Sequence, residues 1–295
     1  MGSENKISEV SIDAIEKAVL GADLRILLMV VFHLSGDRRW LEHPYRPIRD
    51  VRLIADKGAG FEIQIQEEIR TAAFELLSTP SQAVINDPGD ELMVEMMSVC
   101  LGEAVPPEYA PMMREQMGFT PNDSPEMEPE VATRFEEKPI VIIGAGASGI
   151  ALAAKLKKLG FCYVILERNA EVGGTWYENT YPGCAVDTPN HAYSYSFSSR
   201  YSWSRYFSPR VELQDYLERC SREFGVRPNI RFETRLMNAV WDDKTACWQL
   251  AVTSKDGVER IEASVLVSAI GQLSDPTIPK LEGAEVFSGA NFHTA

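Results

Sequence analysis

"PIVIIGAGASGIALAAKLKKLGFCYVILERN", Pro139 to Asn169, is the stretch that decides the fold. Ile140 to Ile143 form an uninterrupted apolar run, the texture of a short strand buried on both faces of a parallel sheet. Gly144, Gly146 and Gly149 follow in GxGxxG spacing. The first glycine allows the tight turn, the second lets the backbone approach a pyrophosphate, and the third lets the next helix pack against the strand. "SGIALAAKLKKLG" reads as that helix, with lysines outward and a stop at Gly160. Its N-terminus, with Ser148 in the first turn, turns unpaired amides and a positive dipole end toward the phosphates. A second strand, "CYVILE", ends in Glu167, where an acid accepts hydrogen bonds from a ribose diol. The unit is a βαβ motif for an ADP-containing dinucleotide. Glu167 in place of a basic residue favours an unphosphorylated ribose, as in FAD or NAD, over NADPH at this site.

Downstream lies "NAEVGGTWYENTYPGCAVDTPNHAYSYSF", Asn169 to Phe197. It supplies a second glycine pair, Gly173 and Gly174, followed by Thr175 and Trp176. "GGTWYENTYPG" followed by "CAVD" resembles the type I Baeyer–Villiger monooxygenases, whose GGTW…YPG segment leads to an aspartate beside the flavin. The resemblance implies FAD as cofactor, with flavin or phosphate contacts from Gly144, Gly146, Ser148, Gly149, Gly174, Thr175, Trp176, Tyr181 and Gly271, and ribose contact from Glu167. It gives Asp187 an electrostatic catalytic role near the flavin.

The chain ends "FSGANFHTA". Phe287, Gly289 and His293 fit the first three fixed positions of the family's F-x-G-x-x-x-H-x-x-x-W pattern, whose tryptophan would fall at position 297. The resemblance gives His293 a part in coupling domain motion. It implies that NADPH reduces FAD in a domain this chain lacks, and that a flavin peroxide then inserts oxygen beside a ketone carbonyl to give an ester. The expectation is that these residues are the N-terminal fragment of such an enzyme, inactive alone. Two alternatives remain open: a flavin-containing or N-hydroxylating monooxygenase, and a non-catalytic truncated flavoprotein acting in assembly.

The 295 residues carry a net charge of −14, unevenly placed. Met1 to Lys138 hold 26 acids and 13 bases, a net of −13, and the remainder hold 17 and 16, a net of −1. Such asymmetry reads as two modules. An acidic chain with no basic cluster excludes nucleic acid and anionic membrane as natural partners. Five scattered cysteines without CxxC spacing indicate reduced thiols and no zinc site. "MGSENKISEV" lacks an apolar signal core, and the longest apolar run, Ile26 to Leu34, is far too short to span a bilayer. A cytoplasmic protein is expected.

The expected fold class is α/β: a FAD-binding Rossmann-like domain, parallel sheet plus β-meander, preceded by an all-α N-terminal domain. The expected divisions are helices over 1–120, an acidic Pro-rich linker over 121–138, the first part of the FAD domain over 139–285, and the start of a further linker over 286–295. "SIDAIEKAVLGADLRILLMVVFHLSGD" predicts one bent helix or two, capped by Ser11 and stopped by Gly36. His33 and His43 read as structural, and the methionines of 93–97 as core. The acidic helices resemble those of the 4-hydroxyacetophenone monooxygenase subgroup, which implies an aryl ketone as substrate. A homodimer through the helical domain is the expected assembly. "SPRVELQDYLERCSREFG" predicts a helix capped by Ser208, with Val211, Leu213, Leu217, Cys220 and Phe224 inward. "VLVSAIGQLSDPTIP" predicts another buried strand, ending at Gly271.

Overall fold

The computed structural model describes residues 11–50, 52, 56–79, 86–120, 135–198, 201–272, 274 and 276–292. Most of the expected acidic linker and His293 lie outside the described residues. The chain divides into two compact units, 1–122 and 123–295.

The first unit is helical. Its elements are α1 (Ile12–Gly21), α2 (Leu24–Ser35), α3 (Ile63–Ser78), α4 (Gly89–Leu101) and α5 (Tyr109–Gln116). The Ser11–Asp37 stretch forms two helices, because Asp23 caps a new start by accepting from the Arg25 amide at 2.9 Å. Ser11 caps α1, and Gly36 closes α2 in the left-handed region at φ 67°. Leu24, Leu27, Leu28 and Val31 of α2 bury against Ile69 and Ala73 of α3 and Met96 and Val99 of α4. Met93 and Met96 are core residues, as their spacing implied. His33 meets the Asn86 carbonyl at 3.0 Å and stacks on Phe119, while His43 is exposed.

The second unit is built on a four-stranded parallel sheet in the order β3-β2-β1-β7. The strands are β1 (Ile140–Ile143), β2 (Tyr163–Leu166), β3 (Ile230–Arg231) and β7 (Val265–Ser268). Helices α6 (Ala147–Lys158) and α8 (Arg210–Glu223) cover one face. A three-stranded antiparallel meander covers the other: β4 (Arg235–Asp242), β5 (Cys247–Ser254) and β6 (Gly257–Ala263). Side chains alternate along a strand. Ile140, Ile142, Tyr163 and Ile165 pack with the helices, and Val141 and Leu166 pack with Leu250, Val252 and Ala263 of the meander. Cover on both faces explains why β1 and β2 read as apolar runs.

Three expectations are corrected here. The strand expected through Gly271 ends at Ser268 and stands at the edge of the described sheet, with Val265 and Ser268 exposed. Ser208 does not cap α8: Pro209 occupies that position without a side-chain bond, and the Ser208 hydroxyl donates to the Glu212 carboxylate at 2.5 Å. On α8, Val211 is exposed, and Tyr216 takes the expected inward place beside Leu213, Leu217 and Cys220. The two-residue β3 had no periodic signal to announce it.

Candidate dinucleotide site

The glycine loop between β1 and α6 has the geometry its spacing demands. Gly144 has φ 101°, and a Cβ there would sit 2.7 Å from the Ala269 carbonyl oxygen. At Gly149 a Cβ would lie 2.0 Å from the Gly144 carbonyl oxygen, so α6 can approach β1 only with glycine at this position. Gly146 differs, because the nearest atom to a Cβ there is the Gly174 Cα at 3.7 Å. The two glycine loops therefore abut with bare backbone, and a side chain on either would fill the space between them.

That space opens into a cavity of about 600 Å³. Its walls include Gly144, Gly146 and Ser148 from the first loop, Glu167 from the end of β2, and Gly174, Thr175 and Trp176 from the second loop. Gly271 lines it as well. Gly149 supports the loop from below. Eight of the residues singled out from the sequence thus meet at one cavity, which lies at the carboxyl ends of parallel strands, where open α/β sheets bind ligands. Tyr181 and Asp187 are exposed and are not part of its lining. His293 lies outside the described residues.

Glu167 is 3% exposed, and its carboxylate braces the loop. One oxygen accepts from the Ala145 amide at 2.7 Å, the other from the Asn169 amide at 2.8 Å. A carboxylate offers about four acceptor positions. Two are occupied, and a ribose diol would donate to those remaining.

Several lining residues escaped the sequence reading: Arg168, Asn169, Tyr193, Arg235 and Ser274. Arg168 pairs with Glu178 at 2.8 Å and reaches the Ser274 carbonyl at 3.0 Å, across a sequence gap that no local pattern marks. Trp176, buried, donates its indole N–H to the Tyr193 hydroxyl at 3.1 Å, with the rings edge to face. The aromatic run of 193–203 was visible, but nothing in it said which ring meets the cavity. Tyr195 donates to the Ala147 carbonyl at 2.6 Å, and Tyr216 donates its hydroxyl to the Ser198 carbonyl while accepting from the Tyr195 amide. Burial pushes both phenols above the ordinary tyrosine value, so they remain donors.

The exposed Asp187 stands beside a hydrogen-bonded, buried base. Val186 before it donates its amide to the Ser208 carbonyl at 3.1 Å, and Asn190 after it is fully buried. The Asn190 side chain donates to the Arg205 carbonyl and the Ser208 hydroxyl. Burial works to raise the Glu212 carboxyl beneath this loop, and hydrogen bonds from Ser208 and Ser204 outweigh it, leaving Glu212 below its ordinary value.

Among the described residues, no group of three or more histidine, cysteine or acidic side chains could hold a metal ion. Nor is any helix there long and apolar enough to cross a membrane.

Fold and cavity define a Rossmann-like dinucleotide-binding unit, and residues 142–208 match the NAD(P)-binding Rossmann-like domain family. The relatives of the chain are monooxygenases. An uncharacterized monooxygenase of Sinorhizobium fredii is 33% identical over 95% of this chain and 42% of its own length. A Baeyer–Villiger monooxygenase of Streptomyces coelicolor is 40% identical over 53% of this chain and 30% of its own. An FAD-binding monooxygenase of Aspergillus terreus is 38% identical over 53% and 28%. The chain thus spans less than half the length of each of these relatives. The first match takes in the helical unit, and the other two cover about half of the chain.

Proposed function

We propose that this chain forms the FAD-binding part of a Baeyer–Villiger monooxygenase, which uses FAD, NADPH and O2 to turn a ketone into an ester. The carrying observation is the joining of two abutting glycine loops and an acid at the end of β2 around one cavity. That cradle fits a dinucleotide pyrophosphate with an attached ribose. The similarity to named Baeyer–Villiger and FAD-binding monooxygenases supports flavin over other dinucleotides. Bound FAD would supply the electron transfer to O2 that the side chains cannot perform.

The chain's own residues bind and orient. Amides at Gly146 and Ser148, at the start of the twelve-residue α6, would hold the phosphates, while Gly144, whose own amide donates to the Leu166 carbonyl at 2.8 Å, would let the backbone turn toward them. Glu167 would hold the ribose, and Gly174, Thr175 and Trp176 would wall the flavin. Tyr181 and Gly271 would complete the approach to it. Asp187 would act electrostatically beside the flavin from its fixed loop, and His293 would serve domain coupling. An aryl ketone as substrate, and a cytoplasmic homodimer joined through the helical unit, complete the reading. The aryl ketone rests on the resemblance of the acidic helices to the 4-hydroxyacetophenone subgroup, the location on the scattered cysteines and the polar start of the chain, and the homodimer on the helical unit offering a subunit contact.

The test is turnover of the protein expressed from its full reading frame, given NADPH and an aryl methyl ketone under air. Ester formed in step with NADPH consumed supports the reading. Oxidation of an amine or sulfide with no ester would move it to the neighbouring monooxygenase class. Absence of bound FAD would overturn it.

A further inference from the structure

The wall formed by residues 172–177 is gripped from outside the cavity by one face of α8. Its short helix α7 (Thr175–Glu178) is a single turn, which leaves carbonyls at its C-terminal end without helical partners. Arg210, the first residue of α8, supplies them. Its Nε donates to the Trp176 carbonyl at 2.5 Å and its Nη2 to the Tyr177 carbonyl at 2.9 Å. The backbone amide of Arg210 donates to the Cys184 carbonyl at 2.8 Å, beside the bridge between Ala185 and Pro209. Arg210 thus joins the cavity wall to the loop that leads to Asp187.

One turn further along α8, Gln214 holds the other end of the wall. Its Nε2 donates to the Val172 carbonyl at 2.8 Å. Gln214 is only 6% exposed, and its Oε1 is buried without a hydrogen-bond partner. A Cβ at Gly173 would lie 2.0 Å from that oxygen, which explains a glycine at φ 125° just before Gly174. Residues four apart share a helix face, so Arg210 and Gln214 form a two-point clamp on a segment whose opposite side lines the cavity.

We infer that Arg210 and Gln214 are positioning residues, which fix the Gly173–Trp176 wall in register with the loop bearing Asp187. The inference rests on the reading of the cavity as a flavin site. A guanidinium fork reaches two successive carbonyls at once, whereas a lysine ammonium satisfies one. Losing charge-assisted bonds of this kind leaves part-buried carbonyls unpaired. The wall would then sample several placements, and a bound flavin would be held in a mixed environment.

The test uses FAD itself as the probe on the protein expressed from its full reading frame and on its variants, reading the dissociation constant by flavin fluorescence and the environment by visible circular dichroism of the bound flavin. Arg210→Gln should weaken FAD about tenfold, the factor that corresponds to losing one such bond, and should change the visible dichroic bands. Arg210→Lys should recover part of both, and Gln214→Met should change the bands in the same sense. Arg219→Ala, on the exposed side of the same helix, controls for helix stability and should leave both readouts unchanged. If Arg210→Gln fails to fold, Arg210→Lys and Gln214→Met decide. Wild-type FAD binding with unaltered affinity and bands in the clamp variants would overturn the inference alone. Failure of the wild-type full-length protein to take up FAD would overturn the flavin reading and the inference with it.

Discussion

Gly149 stands directly beneath the Gly144 carbonyl, so close that a Cβ at position 149 would lie 2.0 Å from that oxygen. The obstacle is backbone at the turn between β1 and α6, so relief would require the helix to back away from the strand. Gly149→Ala should therefore destabilise the second unit by about 1–3 kcal/mol, as overpacking does. Gly146→Ala meets no atom nearer than 3.7 Å and should fold normally while losing dinucleotide affinity. Chemical denaturation and FAD titration of the two variants check this split. Equal losses of stability in both would contradict it.

Asp187 is exposed on a loop that Asn190 and Ser208 hold rigid, outside the cavity lining. Asp187→Ala should therefore leave FAD affinity nearly intact while slowing oxygenation of substrate in the full enzyme. Rapid-mixing kinetics with O2 and equilibrium FAD binding separate the two effects. Unchanged coupled turnover would remove the electrostatic role proposed for this carboxylate.

Arg227 and Glu171 form a two-pronged ion pair at 2.5 and 2.6 Å, with both side chains largely covered. The guanidinium holds the Glu171 carboxyl below the ordinary glutamate value. A carboxyl depressed in the folded state contributes stability above its unfolded pKa and loses it as pH falls through the folded value. The pair should thus stabilise fully near neutrality, and its contribution should fade as pH drops below about 4.5. Glu171→Gln should lower stability at pH 7 and flatten the acid limb of a denaturation series from pH 7 to 3. An acid limb as steep as wild type would refute the assignment.

Trp176 depends on Tyr193 for its indole partner, at 3.1 Å. Tyr193→Phe keeps the ring and removes the hydroxyl, leaving a largely buried N–H unpaired. A cost of about 1 kcal/mol is expected, read as a several-fold loss of FAD affinity together with altered tryptophan fluorescence. Identical spectra and affinity would show that the pair does not support the wall.

The two glycine loops, the first helix and strand, and the acid that closes them are all legible in the sequence, because each rests on local rules. A GxGxxG turn needs its glycines within six residues, and a buried strand announces itself by an apolar run. Ser11 and Gly36 were legible for the same reason, since caps act within one turn. The placing of β7 at the sheet edge was not, because pairing depends on neighbours far along the chain. Ser208 misled because residue type does not fix where the helix begins: Pro209 takes the cap position, and the Ser208 hydroxyl donates to Glu212 while accepting from Asn190, a partner far along the chain.

Sequence alone determined that residues 139–169 make a dinucleotide-type βαβ unit and that a helical, acidic region precedes it. Those properties follow from spacing, apolar run length and charge, which are written in neighbouring residues. Tertiary structure decided which groups share the cavity and what holds them there. Arg210 reaches carbonyls 34 and 33 positions away, and Gln214 one 42 positions away. As isolated letters they are polar residues on an amphipathic helix. Only the packing of α8 against the second glycine loop makes them a clamp, because a hydrogen bond is specified by distance and direction in space, which sequence separation does not encode.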